Sequence, residues 1–316
     1  MVEIELKFQI SEARRTALLK ALDPKKSENI QLQAKYFDTP DRLLAQHGAA
    51  LRQRLEGTCW IQTLKAAGKS HLHRFEHNHN LGELESSPEL DLSIYEAIPE
   101  AQQILTQALA SDAAALKLTF ETDIQRTYRV IEFEDAEIEV CLDVGVVRAS
   151  GREHTIHEVE FELKSGSAQS LLAFSFEWVK KYQLWLDVRS KAEMGNLLAL
   201  EQTVSPARFE KEFVLSKKES AAHNLSLLIG QQMQHLLPNI AAISAGVAEQ
   251  SHIDQAQTAL EHLQLTLALF KDWNSNISDK WAMQLAAFKH QFDHLQHLQH
   301  MQSTLGAFLQ NPTTTE

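Results

Sequence analysis

Cysteine is almost missing from this 316-residue chain. Cys59 and Cys141 are the only two, each inside a strand-like run and neither in a CxxC pair. That spacing argues against a disulfide framework or a structural zinc site and fits a reducing compartment. Positive charge is short as well: 30 Lys and Arg stand against 42 Asp and Glu, a net charge of −12. A nucleic-acid partner wants a basic footprint, so this balance speaks against one, whereas a small polyanion needs only a local gathering of cations. No apolar run approaches the ~20 residues that cross a bilayer. The N-terminus opens on acidic alternation, not on a basic segment followed by an apolar one. The expectation is a cytoplasmic protein with no signal peptide, no membrane partner and no nucleic-acid partner. Its 44% hydrophobic and 23% charged residues are ordinary for a soluble globular chain, long enough for two domains.

What is present begins with Val2-Glu3-Ile4-Glu5-Leu6-Lys7-Phe8. A strand sends alternate side chains to opposite faces, so Glu3, Glu5 and Lys7 share one side and Ile4, Leu6 and Phe8 the other. The charged side is either solvated or lines a polar interior, and on this stretch alone a solvated face is the simpler reading. The device then recurs. Ala50–Leu55 puts Arg52 and Arg54 opposite Leu51 and Leu55, with Trp60–Lys65 as hairpin partner through Glu56-Gly57. His73–Asn78 sets Arg74 and Glu76 against Phe75. His157–Lys164 sets Glu158, Glu160, Glu162 and Lys164 against Val159, Phe161 and Leu163. One charged strand is a surface, but several with mixed acidic and basic faces describe a tunnel lining with the apolar faces turned outward.

Between these lie a helix at Arg14–Leu22 behind Ser11, a strand from Leu32 into the Pro40 turn, and a short helix about Leu43 and Leu44 ended by Gly48. A helix over Ile98–Leu109 precedes a long hairpin, Lys117–Glu134 with Glu137–Asp143, followed by Gly145. Ala168–Tyr182 is an amphipathic helix, and Val188–Lys191 a last extended piece. Seven or eight strands, antiparallel by their connections, suit closure into a barrel. Residues 203–212 read as a linker. Beyond it Ser220–Leu237, Ile253–Phe270 and Trp281–Phe308 have helical spacing, separated by Pro238 and the Asn274–Asn276 region. The fold class is α+β: an eight-stranded antiparallel β-tunnel with flanking helices over 1–202, then a small all-helical domain over 213–316.

Taken together, ExExK at Glu3/Glu5/Lys7, YFDTPD at Tyr36–Asp41, LRxR at Leu51–Arg54 and TLK at Thr63–Lys65 fall in order. Ile138–Gly145, ExExELK at Glu158–Lys164 and SKxxxG at Ser190–Gly195 follow them. In this combination the chain resembles the CYTH domain, the triphosphate tunnel metalloenzyme fold, over roughly residues 1–200. The resemblance implies an eight-stranded tunnel open at both ends that binds a triphosphate and divalent cations. A CYTH domain followed by helices also resembles the bacterial inorganic triphosphatases that carry a C-terminal CHAD domain, which favours inorganic triphosphate as substrate. The helical half departs from the CHAD pattern. At His252–Gln264 it has Gln257, Glu261, His262 and Gln264 where arginines stand in HxxRxxxRRxR, and it has about half the usual length. It reads as a degenerate, truncated CHAD-like bundle.

Under that resemblance the roles follow from charge. Phosphoryl transfer from a polyphosphate is governed by positioning and electrostatic stabilisation. Lys7, Arg52, Arg54, Lys65, Arg74, Arg126 and Lys191 are the candidate phosphate contacts, with arginines suited to bidentate grip. Glu3, Glu5, Glu160 and Glu162 are the candidate ligands of Mg²⁺ or Mn²⁺, hard ions that prefer oxygen. One ion would bridge phosphate oxygens, and a second would orient or deprotonate the attacking water. Lys7, Arg54 and Glu158 are the catalytic candidates, with Glu76 an alternative base and Glu139 and Asp143 further lumen residues. For Arg74, Arg126 and Lys191 the plainer reading is a surface ion pair, and for Tyr36 and Asp38 it is fixing a turn. His71, His73, His77 and His79 read as an outer face. His290, His294 and His297 read as solvated helix surface, and Leu263, Leu267 and Phe270 as bundle core. Rival functions are hydrolysis of thiamine triphosphate, cyclisation of ATP, and binding of polyphosphate or nucleotide without turnover.

Overall fold

The computed structural model describes residues 4–70, 73–110, 112–272, 275–295 and 301–311. The chain divides into two compact units, Met1–Tyr182 with Arg189–Thr203, and Gln183–Val188 with Val204–Glu316. In chain order the elements up to residue 199 are β1 (Glu5–Gln9), α1 (Glu12–Ala21), β2 (Glu28–Asp38), α2 (Leu43–Gln46), β3 (Ala49–Glu56), β4 (Cys59–Ser70) and β5 (His73–Glu83). After them come α3 (Pro99–Leu109), β6 (Lys117–Phe133), β7 (Ala136–Ala149), β8 (Arg152–Ser165), α4 (Ala168–Tyr182), β9 (Trp185–Leu186) and α5 (Lys191–Ala199).

The strands form one sheet in the order β5-β4-β3-β2-β6-β7-β8-β1-β9. That is nine strands where eight are expected, the extra one being the two-residue β9. Every ladder from β1 to β8 is antiparallel. Among the described residues no ladder joins β5 to the β1 edge. The hairpin turns carry the positive φ that tight antiparallel connections need, at Gly57 between β3 and β4 and at Ser150 and Gly151 between β7 and β8. Gly145 does not end a strand as its neighbours suggest. It sits inside β7, where a Cβ would lie 2.1 Å from the Asp123 carbonyl oxygen of β6, so the two backbones approach too closely for any side chain.

The outer face of the sheet is apolar, as the alternation requires. Phe8 and Phe161 pack ring to ring at 5.3 Å, and Phe161 meets Phe174 and Trp178 of α4 at 5.3 and 5.5 Å. Leu51 and Leu64 of β3 and β4 are buried with Leu44 of α2 and Ala101, Ala108 and Leu109 of α3. His77 lies on this side, its ring 5.8 Å from that of Tyr95.

The inner face is charged over only part of its area. Leu32, Ala34, Tyr36, Phe120, Ile124, Val147, Ala149 and Ile156 form an apolar cluster on it, closed by Met194 of α5. The expectation that the apolar faces all turn outward therefore holds for only part of the sheet. The extended piece expected over Val188–Lys191 stops one residue early: Ser190, still extended, caps α5 by accepting the Glu193 N–H at 3.0 Å, and Lys191 opens the helix. Asp143 and Glu158 are buried on the same face.

The second unit holds α6 (Ala221–Ser244), α7 (Gln250–Leu269), α8 (Ser275–Leu295) and α9 (Met301–Leu309). Leu236, Ile243, Ile253, Leu260, Leu263, Phe292 and Leu305 form its core. Pro238 lies within α6 instead of ending it. A helical φ suits proline, and the buried Leu236, Ala241, Ala242 and Ile243 around it carry the helix past the lost backbone bond. The stretch expected as one helix over Trp281–Phe308 is two, α8 and α9. His290 and His294 are exposed on α8, and His297 lies outside the described residues. The segment before α6 is held by side-chain amides. Asn239 accepts the Arg208 N–H at 3.0 Å and donates to its carbonyl at 2.9 Å, and Asn224 does the same for Ser216 at 2.8 and 3.0 Å. No helix among the described residues is long and apolar enough to cross a membrane.

Phe161 is 0% exposed and touches three other rings. Its replacement by Ala is expected to lower the unfolding free energy by about 3–5 kcal/mol, read from urea denaturation.

Candidate functional site

Register decides which charges meet. β1 and β8 pair so that Glu5 faces Glu162, Lys7 faces Glu160 and Gln9 faces Glu158. β7 continues the rows, with Glu139 beside Glu162, Cys141 beside Glu160 and Asp143 beside Glu158. β6 then places Arg126 opposite Asp143. The charged side chains of four strands thus stand next to one another on the inner face, and the N-terminus of α5 adds Lys191.

Arg126 grips Asp143 with two hydrogen bonds, Nε to Oδ1 at 2.7 Å and Nη2 to Oδ2 at 2.6 Å, and Nη2 also reaches Glu160 Oε2 at 2.6 Å. The Lys191 ammonium is shared among three carboxylates: Asp143 at 2.8 Å, Glu160 at 2.9 Å, and Glu158. Lys7 lies 3.3 Å from the other oxygen of Glu158 and also donates to the Arg189 carbonyl. Asp143, Glu158 and Glu160 each offer an oxygen within 4.8 Å of the others.

Burial and charge pull against each other here. Burial pushes the Glu158 carboxyl up, and Lys191 and Lys7 recover only part of that, so it stays above the usual range. Glu160 meets the same burial, but Lys191 and Arg126 outweigh it and hold the carboxyl well below that range. For Lys191 the carboxylates win over desolvation, and its ammonium is held well above the ordinary lysine value. Burial lifts the Cys141 thiol, which leaves it protonated and unreactive beside them.

Toward the other side of the inner face the excess is positive. Tyr36 stacks on Phe120 at 4.3 Å. Burial would raise its hydroxyl, but the charge and hydrogen bond of Arg52 outweigh that and lower it. Arg54 pairs with Glu56, yet burial and the like charge of Arg52 bring its guanidinium down to about 10. Lys65 pairs with Glu76 at 2.5 Å. The buried Arg52 Nε has no hydrogen-bond partner among the described residues. A buried donor in that state, among cations that repel one another, calls for an anion.

Residues 1–195 match the family model of the CYTH domain. The chain belongs to the CYTH domain family. An inorganic triphosphatase from Haemophilus influenzae is 33% identical to it over 227 residues, 70% of this chain and 62% of that protein. The chain thus spans less than two thirds of that curated relative. Among solved structures, HpAC1 from Hippeastrum, reported as having a dominant triphosphatase activity, is 17% identical with a TM-score of 0.48, over 64% of this chain and 97% of its own. The PH1819 protein from Pyrococcus horikoshii is 15% identical with a TM-score of 0.37, over 61% and 97%.

Within this CYTH chain the site residues sort as follows. Lys7, Arg126, Lys191, Glu158 and Glu160 converge in one network, so Arg126 and Lys191 are not surface pairs. Arg52, Arg54 and Lys65 lie on β3 and β4 on the same face. Glu162 stands one row from the cluster and pairs with Lys164 at 2.9 Å, with Glu5 as its neighbour on β1. Asp143, a lumen residue by parity, joins Glu158 and Glu160, and Glu5 and Glu162 stand in the adjoining row. Glu3 lies outside the described residues. Arg74 is opposite Ala67 in β5, its side chain beyond what is described. Asp38 fixes a turn as read, accepting the N–H groups of Leu44 and Ala45 at 2.9 and 3.0 Å. Tyr36 does not: it turns inward to Arg52.

Replacing Lys191 by Met strands three carboxylates around one fewer cation. It is expected to cost about 3–5 kcal/mol of stability by calorimetry, and Asp143→Asn in that background should return part of it.

Proposed function

We propose that the protein hydrolyses inorganic triphosphate to diphosphate and phosphate on the inner face of the CYTH sheet, in the cytoplasm and with a divalent cation. The unpartnered Arg52 Nε, set among Arg54, Tyr36 and the charged network, carries this reading. Lys7, Arg52, Arg54, Lys65, Arg74, Arg126 and Lys191 are the proposed phosphate contacts. A bound triphosphate would relieve the repulsion among the arginines and take up the free donor. The Haemophilus relative's description as an inorganic triphosphatase points the same way.

Asp143, Glu158 and Glu160 form a set of hard oxygen donors that suits Mg²⁺ or Mn²⁺, with Glu5 and Glu162 in the adjoining row as further ligands. When bound, such an ion neutralises phosphate charge and polarises the bond to be broken. The chain's own part is to hold the anion in line and to take a proton. Glu158 is 0% exposed and lifted by burial, so it is a stronger base than an ordinary carboxylate. It would accept the proton of the attacking water as the terminal phosphorus–oxygen bond breaks and diphosphate departs. Lys7 and Lys191, on its two oxygens, keep it in place.

The helical unit is read as a degenerate CHAD-like bundle whose substituted positions do not favour polyphosphate binding. His252 caps α7, accepting the Glu249 N–H on Nδ1 at 3.0 Å and reaching the Ser205 carbonyl through Nε2 at 2.9 Å. Gln257 bonds Asp293, Glu261 pairs with Lys289 and His262 with Glu210. These positions serve contacts within the bundle and present no row of cations.

Phosphate release from tripolyphosphate in Mg²⁺ or Mn²⁺ is the test, with thiamine triphosphate and ATP run alongside. Release should be fastest on tripolyphosphate and stop with chelator. Glu160→Gln and Arg54→Ala should each lose about 100-fold or more while circular dichroism is unchanged. Full activity in both variants, or tight tripolyphosphate binding with no release, would refute the proposal.

A further inference from the structure

Lys191 is the cation that ties Asp143, Glu158 and Glu160 together, and it stands on a nine-residue helix whose depth must be set by something. One turn further along α5, on the same side as Lys191, is Gly195, which is buried. A Cβ built there would lie 2.2 Å from both Cδ2 and Cε2 of Phe120 and 2.6 Å from Cγ. Ordinary contact begins near 3.4 Å, so a methyl group needs about 1.2 Å of room that the site lacks. The Phe120 ring cannot supply it by swinging away. It is 3% exposed and lies flat against Tyr36 at 4.3 Å, within the cluster that Met194 closes. The helix is therefore what moves, and a rise of that size exceeds the slack in ammonium–carboxylate contacts of 2.8 and 2.9 Å.

We infer that Gly195 is a positioning residue for Lys191: its missing side chain lets α5 sink onto Phe120 far enough for the ammonium to reach all three carboxylates. The consequence for turnover rests on the triphosphatase reading above, whereas the placement of Lys191 does not.

The experiment separates the two. Amine acetylation followed by mass spectrometry gives the labelling rate of Lys191, with half-exposed Lys164 on β8 as internal reference. In Gly195→Ala the Lys191 rate should rise at least fivefold relative to Lys164, and phosphate release from tripolyphosphate with Mg²⁺ should fall at least tenfold. Met194→Leu disturbs the same helix without adding a group at position 195 and should change neither. Gly195→Ala with Phe120→Leu removes the ring atoms that the methyl would meet and should bring Lys191 labelling back to within twofold of the parent. This pair also serves if Gly195→Ala alone does not fold. Unchanged Lys191 labelling in folded Gly195→Ala would overturn the inference, as would equal exposure in Met194→Leu or no rescue by the pair. A parent protein that releases no phosphate would refute the functional reading while leaving the labelling result to decide the role of Gly195.

Discussion

Three crowded carboxylates, two of them fully buried, would drive one another apart unless cations were fixed between them. Asp143 and Glu158 come from neighbouring strands and Glu160 sits two residues along from Glu158, so each needs a cation beside it. Arg126 answers from β6 with a bidentate grip, Lys7 from β1, and Lys191 from a helix laid on the inner face. Desolvation of each ion is costly, and the pairing offsets it only because the groups satisfy several contacts at once. The apolar half of the inner face exists for the same reason. It gives α5 a bed of Phe120, Ile124, Val147 and Ile156 on which to hold Lys191 in position.

This constraint explains the mixture of signs. The strands could not be lined by carboxylates alone, nor by arginines alone. On the Arg52 and Arg54 side Glu56 and Glu76 offset only part of the positive charge, and the Asp143, Glu158 and Glu160 side is closely balanced. Lys191 lies near enough to influence Tyr36 on the first side and Glu160 on the second.

Strand parity was legible from residues alone, because a period of two fixes which side chains share a face whatever the partners are. Glu158, Glu160, Arg52 and Arg54 were found that way. Register was not legible. Whether Glu160 or Glu162 stands beside Lys7 depends on the pairing of β1 with β8, a contact between residues over 150 positions apart. Asp143 was reached only as a further lumen residue, because the pairing that sets it beside Glu158 is written in neither strand. The helix bearing Lys191 was missed for a local reason. Val188-Arg-Ser reads as extended, and Ser190 is a helix cap only if a helix follows. The inward turn of Tyr36 was missed because its partner Arg52 lies across a ladder that the sequence does not display.

The paired amide bonds of Asn224 and Asn239 bear on where the helical unit begins. Each side chain reads both the N–H and the carbonyl of one residue in the stretch before α6, so Arg208 and Ser216 are fastened to the helix as an extra strand would be to a sheet edge. A chain cut after that stretch would keep both asparagines but leave their amides facing a vacant track. The shortest self-sufficient form of this unit therefore includes the residues that composition alone would assign to a tether.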